Sequence, residues 1–244
     1  MSIEQRVAAG DITLFDHIES ESSLDDRRSL LALQHAAGET LQSYVHLEIG
    51  SHLGGTLQPF VADPRCRRVI SIDPRPEVIP DDRGRVYEYP GNSTQRMLDG
   101  LQTVPGADLD KLDTIEASTE DIAVGRLIRP DLCVIDGEHT FTAALRDARF
   151  CRAASHGAGI LVFHDRAVVH AAIARFVAEV PGPRRVYALK GRWYVVELGL
   201  FPSLLQHPAV ADRLAWSRAA WRGANRLRLA ATTTRAFSFV RGRR

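Results

Sequence analysis

The stretch 129–165, RPDLCVIDGEHTFTAALRDARFCRAASHGAGILVFHD, decides the fold. Two apolar runs, 132–135 and 160–163, each end in ionisable residues: Asp136, Glu138 and His139 after the first, His164 and Asp165 after the second. Their lengths suit buried strands, and 140–154 between them reads as a helix. A strand, a crossover helix and a parallel strand bring both strand ends to one edge of an open α/β sheet, where such sheets bind ligands. Both clusters are therefore expected to face one crevice.

Working upstream, 45–49 is a short strand candidate that runs into E-I-G-S-H-L-G-G, Glu48 to Gly55. A helix is expected over 53–61 and a second strand over 68–72, ending at Asp73, 23 residues beyond Gly50. A turn that lets a ligand approach the backbone needs residues without a Cβ, which Gly50, Gly54 and Gly55 supply. A carboxylate at Asp73 suits the hydroxyls of a ribose, so Gly50, Ser51 and Gly54 of the turn, with Asp73, are the candidate nucleoside-binding set. Alone, each signal is weak. Proline-rich 74–90 reads as loop with a short strand over 85–89, followed by a helix opened by Ser93 or Thr94. A strand over 112–116 leads to EAST, 116–119, where Ser118 is a candidate ligand-binding residue.

Downstream, a helix over 167–180 stops at PGP, and two strand-like runs, 185–189 and 192–198, are joined by Lys190 and Gly191, the signal for a tight antiparallel hairpin. A parallel sheet with a reversed last strand is not the plain dinucleotide-binding arrangement. The expected fold is α/β and Rossmann-like, seven-stranded and mostly parallel, with helices on both faces. The expected division is an N-terminal arm and helix (1–43), a core (44–198) and a basic helical extension (199–244).

The bulk properties fit one globular domain with an appendage: 244 residues, 45% hydrophobic and 25% charged. The net charge of +1 conceals nine arginines against one aspartate from Phe201 onward, so +8 sits there and −7 in the first 200 residues. Cys66, Cys133 and Cys151 form no CxxC pair, which argues against a disulfide framework and for a reducing, cytoplasmic setting. The opening residues lack a signal-peptide pattern, and no apolar run approaches the ~20 residues of a membrane span. The acidic 1–28 segment reads as a solvated arm or capping helix, and His46 as a satisfied structural histidine.

With the glycine turn, Asp73 and the terminal hairpin in place, the chain resembles the class I S-adenosylmethionine-dependent methyltransferases over roughly residues 40–198, a resemblance that implies Glu48 as the acid before the glycine turn and Ser118 beside the adenine ring in the cofactor site. His52 stands where many members carry a second glycine. V-I-D-G-E-H, the helix beginning TFTAALRD and G-x-G-I-L-V-F-H-D narrow the resemblance to the metal-dependent O-methyltransferases related to macrolide sugar methyltransferases and cephalosporin hydroxylase-like proteins. That resemblance implies S-adenosylmethionine as cofactor, magnesium or manganese held by Asp136, His164 and Asp165, and His139 as general base. Asp136 also belongs to the implied cofactor site, and His164 stands where relatives commonly have an acid.

The chemistry accounts for these residue types. A sugar hydroxyl is far from ionised at neutral pH, a cation lowers the pKa of a coordinated hydroxyl, and a histidine accepts the proton. The implied acceptor is a sugar or secondary metabolite, a small molecule or a glycan. Two other readings fit parts of the pattern: a nicotinamide-dependent oxidoreductase and a non-catalytic nucleoside-binding scaffold. The arginine-rich tail suits an anionic surface, including the face of a membrane, or packing on the domain or on a subunit of a homo-oligomer, with Trp216 and Trp221 as anchors. Nucleic acid is disfavoured because no base-reading element accompanies the charge.

Overall fold

A computed structural model describes residues 1–182, 184–199 and 202–216. Its elements run α1 (Ile3–Ala8), α2 (Leu24–Leu41), β1 (Tyr44–Ile49), α3 (Gln58–Ala62), β2 (Cys66–Ile72), β3 (Val78–Pro80), β4 (Val86–Glu88), α4 (Thr94–Gln102), β5 (Leu112–Ile115) and β6 (Leu132–Ile135). They continue with α5 (Phe141–Ala154), β7 (Ile160–Phe163), α6 (Arg166–Glu179), β8 (Arg184–Leu189), β9 (Tyr194–Leu198), α7 (Pro208–Ala211) and β10 (Leu214–Trp216).

Strands β1, β6 and β7 are buried along their whole length, as strands covered by helices on both faces must be. Alternation assigns their side chains to two cores. Leu132, Val134, Ile160 and Val162 pack with α2, α3 and α4 on one face. Cys133, Ile135, Leu161 and Phe163 pack with α5 and α6 on the other.

The sheet has eight strands in the order β10-β8-β9-β7-β6-β1-β2-β5. The five from β5 to β7 are parallel neighbours, while β9 runs antiparallel between β7 and β8. The eighth strand is β10, antiparallel to β8. It corrects the helix expected there: the helical part of 199–244 that is described ends within Pro208–Ala211, and Leu214 pairs with Leu189 instead of continuing a basic face. Residues 217–244, with Trp221 and the arginine-rich end, lie outside the described residues, so the rest of the helical extension is an expectation only. Among the described residues no helix is long and apolar enough to cross a membrane. The three cysteines are free and buried.

In the amino-terminal third one expectation is corrected and one pair of alternatives is resolved in favour of the cap. The helix expected over 53–61 begins only at Gln58, because turns occupy the chain after Gly50. The acidic arm is a docked cap: Val7, Leu14, Phe15 and Ile18 are buried in the core. One side chain fastens it. Gln58 accepts hydrogen bonds from the backbone N–H groups of His17 and Ile18 (both 3.0 Å) and donates to the carbonyls of Phe15 (3.1 Å), Ile18 (3.0 Å) and Gly55 (2.7 Å). Leaving such buried backbone groups unpaired costs about 1–3 kcal/mol each. Gln58→Ala is therefore expected to lower stability by at least ~2 kcal/mol in chemical denaturation, and to expose the 1–23 segment to limited proteolysis before the rest of the chain unfolds.

Candidate active site

The register of the parallel strands brings Ile115, Ile72, Ile49, Ile135 and Phe163 into one row. The residues that follow them, Glu116, Asp73, Gly50, Asp136 and His164, stand along the carboxyl edge of the sheet. There Asp73, Gly50, Asp136 and His164 border a cleft of about 360 Å³, within the size range of small-ligand sites. Gly50, Ser51, Asp73, Ser118, Asp136, His139, His164 and Asp165 all line it. The two clusters of 129–165 do meet in one crevice.

Two members of the candidate cofactor set do not. Glu48 is buried inside β1, where its carboxylate accepts from the Thr56 hydroxyl (2.5 Å) and lies 3.3 Å from His46 Nε2. It holds the turn from beneath. Gly54 abuts Met97 and Leu101 of α4 and serves packing. Gly50, at φ +82°, is needed for a different reason: a Cβ there would run into the carbonyl of Asp136, so the β1 and β6 ends approach this closely only with glycine. His52 occupies φ +44°, the left-handed region, which explains why glycine suits this position. Its N–H donates to Asp73 (2.8 Å) and its ring lies 4.8 Å from that of Tyr89. Asp73 also accepts from the Arg75 N–H (2.7 Å), and the Arg75 guanidinium reaches under the turn to the His52 carbonyl and the Ser51 hydroxyl. His46 is buried against Phe60, its ring stacked at 3.8 Å, as a structural histidine should be.

At the other end of the row, His139 Nε2 lies 3.3 Å from Asp136 and 3.6 Å from Asp165. Burial disfavours its charged form, but the hydrogen bond to Asp136 and the charges of Asp136 and Asp165 prevail and raise His139 above the ordinary histidine range. Asp165 is aimed into the cleft by a left-handed backbone (φ 44°, ψ 42°) at the start of α6. Asp136, His139 and Asp165 offer one ligand atom each, all within 4.8 Å of one another.

His164 is not placed as the expected metal ligand. Its Nδ1 hydrogen-bonds Asp136 (2.9 Å), and its Nε2 lies in ionic contact with Asp26 (3.5 Å). A carboxylate faces each nitrogen, a setting that favours the doubly protonated ring, and the group of possible ligands in this cleft, among the described residues, is Asp136, His139 and Asp165. Burial alone would discharge His164, yet the charge and hydrogen bond of Asp136, with Asp26 and Asp165, push it up to about 10. Trp193 covers the ring, centroids 4.4 Å apart, and donates its indole N–H to the Asp26 carbonyl (2.9 Å).

Asp26 and Arg192 are functional-site residues absent from the sequence reading. Asp26 is fully buried and accepts from the N–H of Arg192 (2.6 Å) and from the N–H (2.9 Å) and hydroxyl (2.6 Å) of Ser23. Gly191, at φ +86°, permits this turn, since a Cβ there would strike the Asp26 carboxylate. The Arg192 guanidinium spans Asp26 (3.2 Å) and Asp165 (2.9 Å). The local signal for Asp26 was the Ser23-x-x-Asp26 capping box; nothing local marks Arg192. Asp147 accepts from Thr119 (2.5 Å) and Arg146 (3.2 Å), and burial raises its pKa.

The family described as a methyltransferase domain matches residues 47–166. No curated protein matches the chain significantly in sequence. Among solved structures, the fold is similar to that of the O-methyltransferase NovP (12% identity, TM-score 0.57, 73% of this chain and 83% of that one). It is also similar to the calicheamicin methyltransferase CalS11 (16%, TM-score 0.51, 81% and 91%) and to a Klebsiella pneumoniae protein described as an O-methyltransferase (14%, TM-score 0.50, 81% and 90%). The matched segment contains the glycine turn, Asp73, Asp136, His139 and Asp165, and the reversed β9 sets the sheet apart from the nicotinamide-binding alternative. Residues 47–166 match the methyltransferase-domain family, and the fold around them is similar to that of these solved structures.

Proposed function

We propose that this protein is an S-adenosylmethionine-dependent methyltransferase that transfers the methyl group to a hydroxyl of a sugar or other secondary metabolite, with His139 receiving the hydroxyl proton and a divalent cation assisting. The observation that carries the reading is the placement of His139, with Asp136 and Asp165, in the same cleft as Asp73 and Ser118. In the reaction the acceptor oxygen bonds to the methyl carbon, the carbon–sulfur bond breaks, and the neutral thioether leaves. The remaining demands are alignment and disposal of one proton.

Asp73 suits the ribose hydroxyls, and Gly50 and Ser51 the approach of the cofactor backbone to the turn. Ser118 borders the space for the adenine. Asp136 orients the His139 ring by its 3.3 Å contact. A cation fits the donor set of Asp136 and Asp165, hard oxygens with His139 in reach, and would acidify a coordinated hydroxyl. His164 belongs to the frame behind them. A single nitrogen of His139 cannot both complete the shell of an ion and take a proton. The O-methyltransferases that share the fold, and the resemblance of V-I-D-G-E-H to the sugar-modifying group, support the acceptor class. A cytoplasmic setting, in keeping with the three buried free thiols, is part of the same proposal.

Calorimetry with S-adenosylhomocysteine tests the cofactor assignment: Asp73→Asn is expected to weaken binding about tenfold or more, as loss of hydrogen bonds to a charged group implies. Unchanged affinity would remove Asp73 from the site. Chelation separates the roles of the acid cluster. We expect turnover to fall with EDTA and return with magnesium or manganese, and His139→Ala to lower turnover about 10²-fold or more with manganese affinity retained. Lost manganese affinity in that variant would make His139 a ligand, and turnover unmoved by EDTA would exclude the ion.

A further inference from the structure

The cleft is longer than its donor half. Beyond Asp73 and Ser118 it is bounded by β3 and β4 on one side, through Val78, Ile79, Tyr87 and Tyr89, and by Glu19 to Ser22 on the other. Strands β3 and β4 pair with each other and, among the described residues, with nothing else: Val78 opposes Glu88, Ile79 opposes Tyr87 and Pro80 opposes Val86. This hairpin leaves the chain just after Asp73. Its tip lands at the proposed proton acceptor, where the Asp82 carboxylate accepts the first N–H of α5 at Phe141 (2.6 Å) and the Asp82 N–H donates to the His139 carbonyl (3.4 Å). Asp81 stiffens the tip by accepting from the N–H groups of Arg83 (2.8 Å) and Arg85 (3.0 Å). The hairpin thus spans the cleft from the donor carboxylate to the base.

Period-two geometry puts Ile79, Tyr87 and Tyr89 on one face, while Val78 and Val86 are 56% and 61% exposed. The Tyr87 hydroxyl is taken by Arg83 (2.6 Å), so its ring is what it offers. The Tyr89 hydroxyl makes no hydrogen bond with a described residue, and burial, with nearby acids, pushes its pKa up to about 12, which keeps it a neutral donor. Across the cleft, the carboxylates of Glu19 and Glu21 have no ion-pair partner among the described residues. The two arginines that line the cleft are occupied: Arg192 by Asp26 and Asp165, Arg146 by Asp147 and Glu120. A phosphate beside Glu19 and Glu21 would face acids with no unpaired lysine or arginine among the described lining residues to receive it.

We propose that the β3–β4 hairpin is the acceptor-reading wall, and that the acceptor is an unphosphorylated hydroxyl compound whose ring packs on Tyr87 and Tyr89. The proposal rests on the O-methyltransferase reading above and names its substrate class. Aromatic packing of this kind adds specificity on top of buried area and does not depend on the ring's substituents.

Saturation-transfer NMR with the S-adenosylhomocysteine-bound protein tests it, using 4-nitrophenyl β-D-glucopyranoside as the neutral ring probe and glucose 1-phosphate as the phosphorylated one. Transfer to the nitrophenyl ring is expected in the wild type, reduced about fivefold in Tyr87→Ala and in Tyr89→Ala, and kept in Tyr89→Phe, which retains the ring. S-adenosylhomocysteine affinity should stay within about twofold in Tyr87→Ala, whose side chain lies outside the donor half, and in Tyr89→Phe, which keeps the ring against His52. No transfer to glucose 1-phosphate is expected. The proposal is overturned if the glycoside gives no signal, if both alanine variants match the wild type, or if glucose 1-phosphate binds. Failure of S-adenosylhomocysteine to bind would instead sink the methyl-donor reading beneath it.

Discussion

A line of buried charge, Asp26–His164–Asp136, holds the catalytic edge of this protein together. The imidazole sits between a carboxylate from the start of α2 and another from the end of β6, with Trp193 closing it from water. Burial opposes every charge in the line, yet Asp26 and Asp136 are both held well below the usual carboxylate range by what they touch: Asp26 chiefly by His164, Ser23 and the Arg192 N–H, Asp136 by His164 and His139. Removing one partner from such a set strands a buried charge, which costs about 3–5 kcal/mol. That cost makes the line a constraint on everything around it. The N-terminal cap, the β8–β9 turn and the left-handed residue Asp165 are all drawn to its ends.

The parts of the fold that depend on local chemistry could be read from the chain. Short buried runs ending in acids located β1, β2, β6 and β7, and Lys190-Gly191 located the reversed pair, because burial on both faces and turn geometry leave their mark within a few residues. Asp73, Asp136, His139 and Asp165 followed from their positions after those runs. The line of charge could not be read in the same way. Asp26 lies 166 residues from Arg192, and its segment has the composition of a solvated arm; only the packing of Trp193 makes it interior. His164 was legible as a departure from the acidic pattern, but its partner on α2 was not.

Glu48 and Gly54 show the opposite limit. They belong to the glycine pattern in sequence, yet one supports the turn through Thr56 and the other makes room for α4. A motif records which residues a loop needs and leaves open which of them the ligand touches. The same distinction applies to β10: helical periodicity in its residues was outweighed by an unpaired edge of β8, where backbone groups gain more from a ladder than from another helical turn.

Gln58 has a mechanical corollary. Its amide is bonded at once to the Gly55 carbonyl on the donor side of the cleft and to the chain at Phe15–Ile18, one residue before the strip that forms the acceptor side. The two rims share a single clamp, so neither can swing outward without breaking bonds that also position the other. The aperture is thereby set by one side chain, and admission of donor and acceptor becomes a single problem of fit.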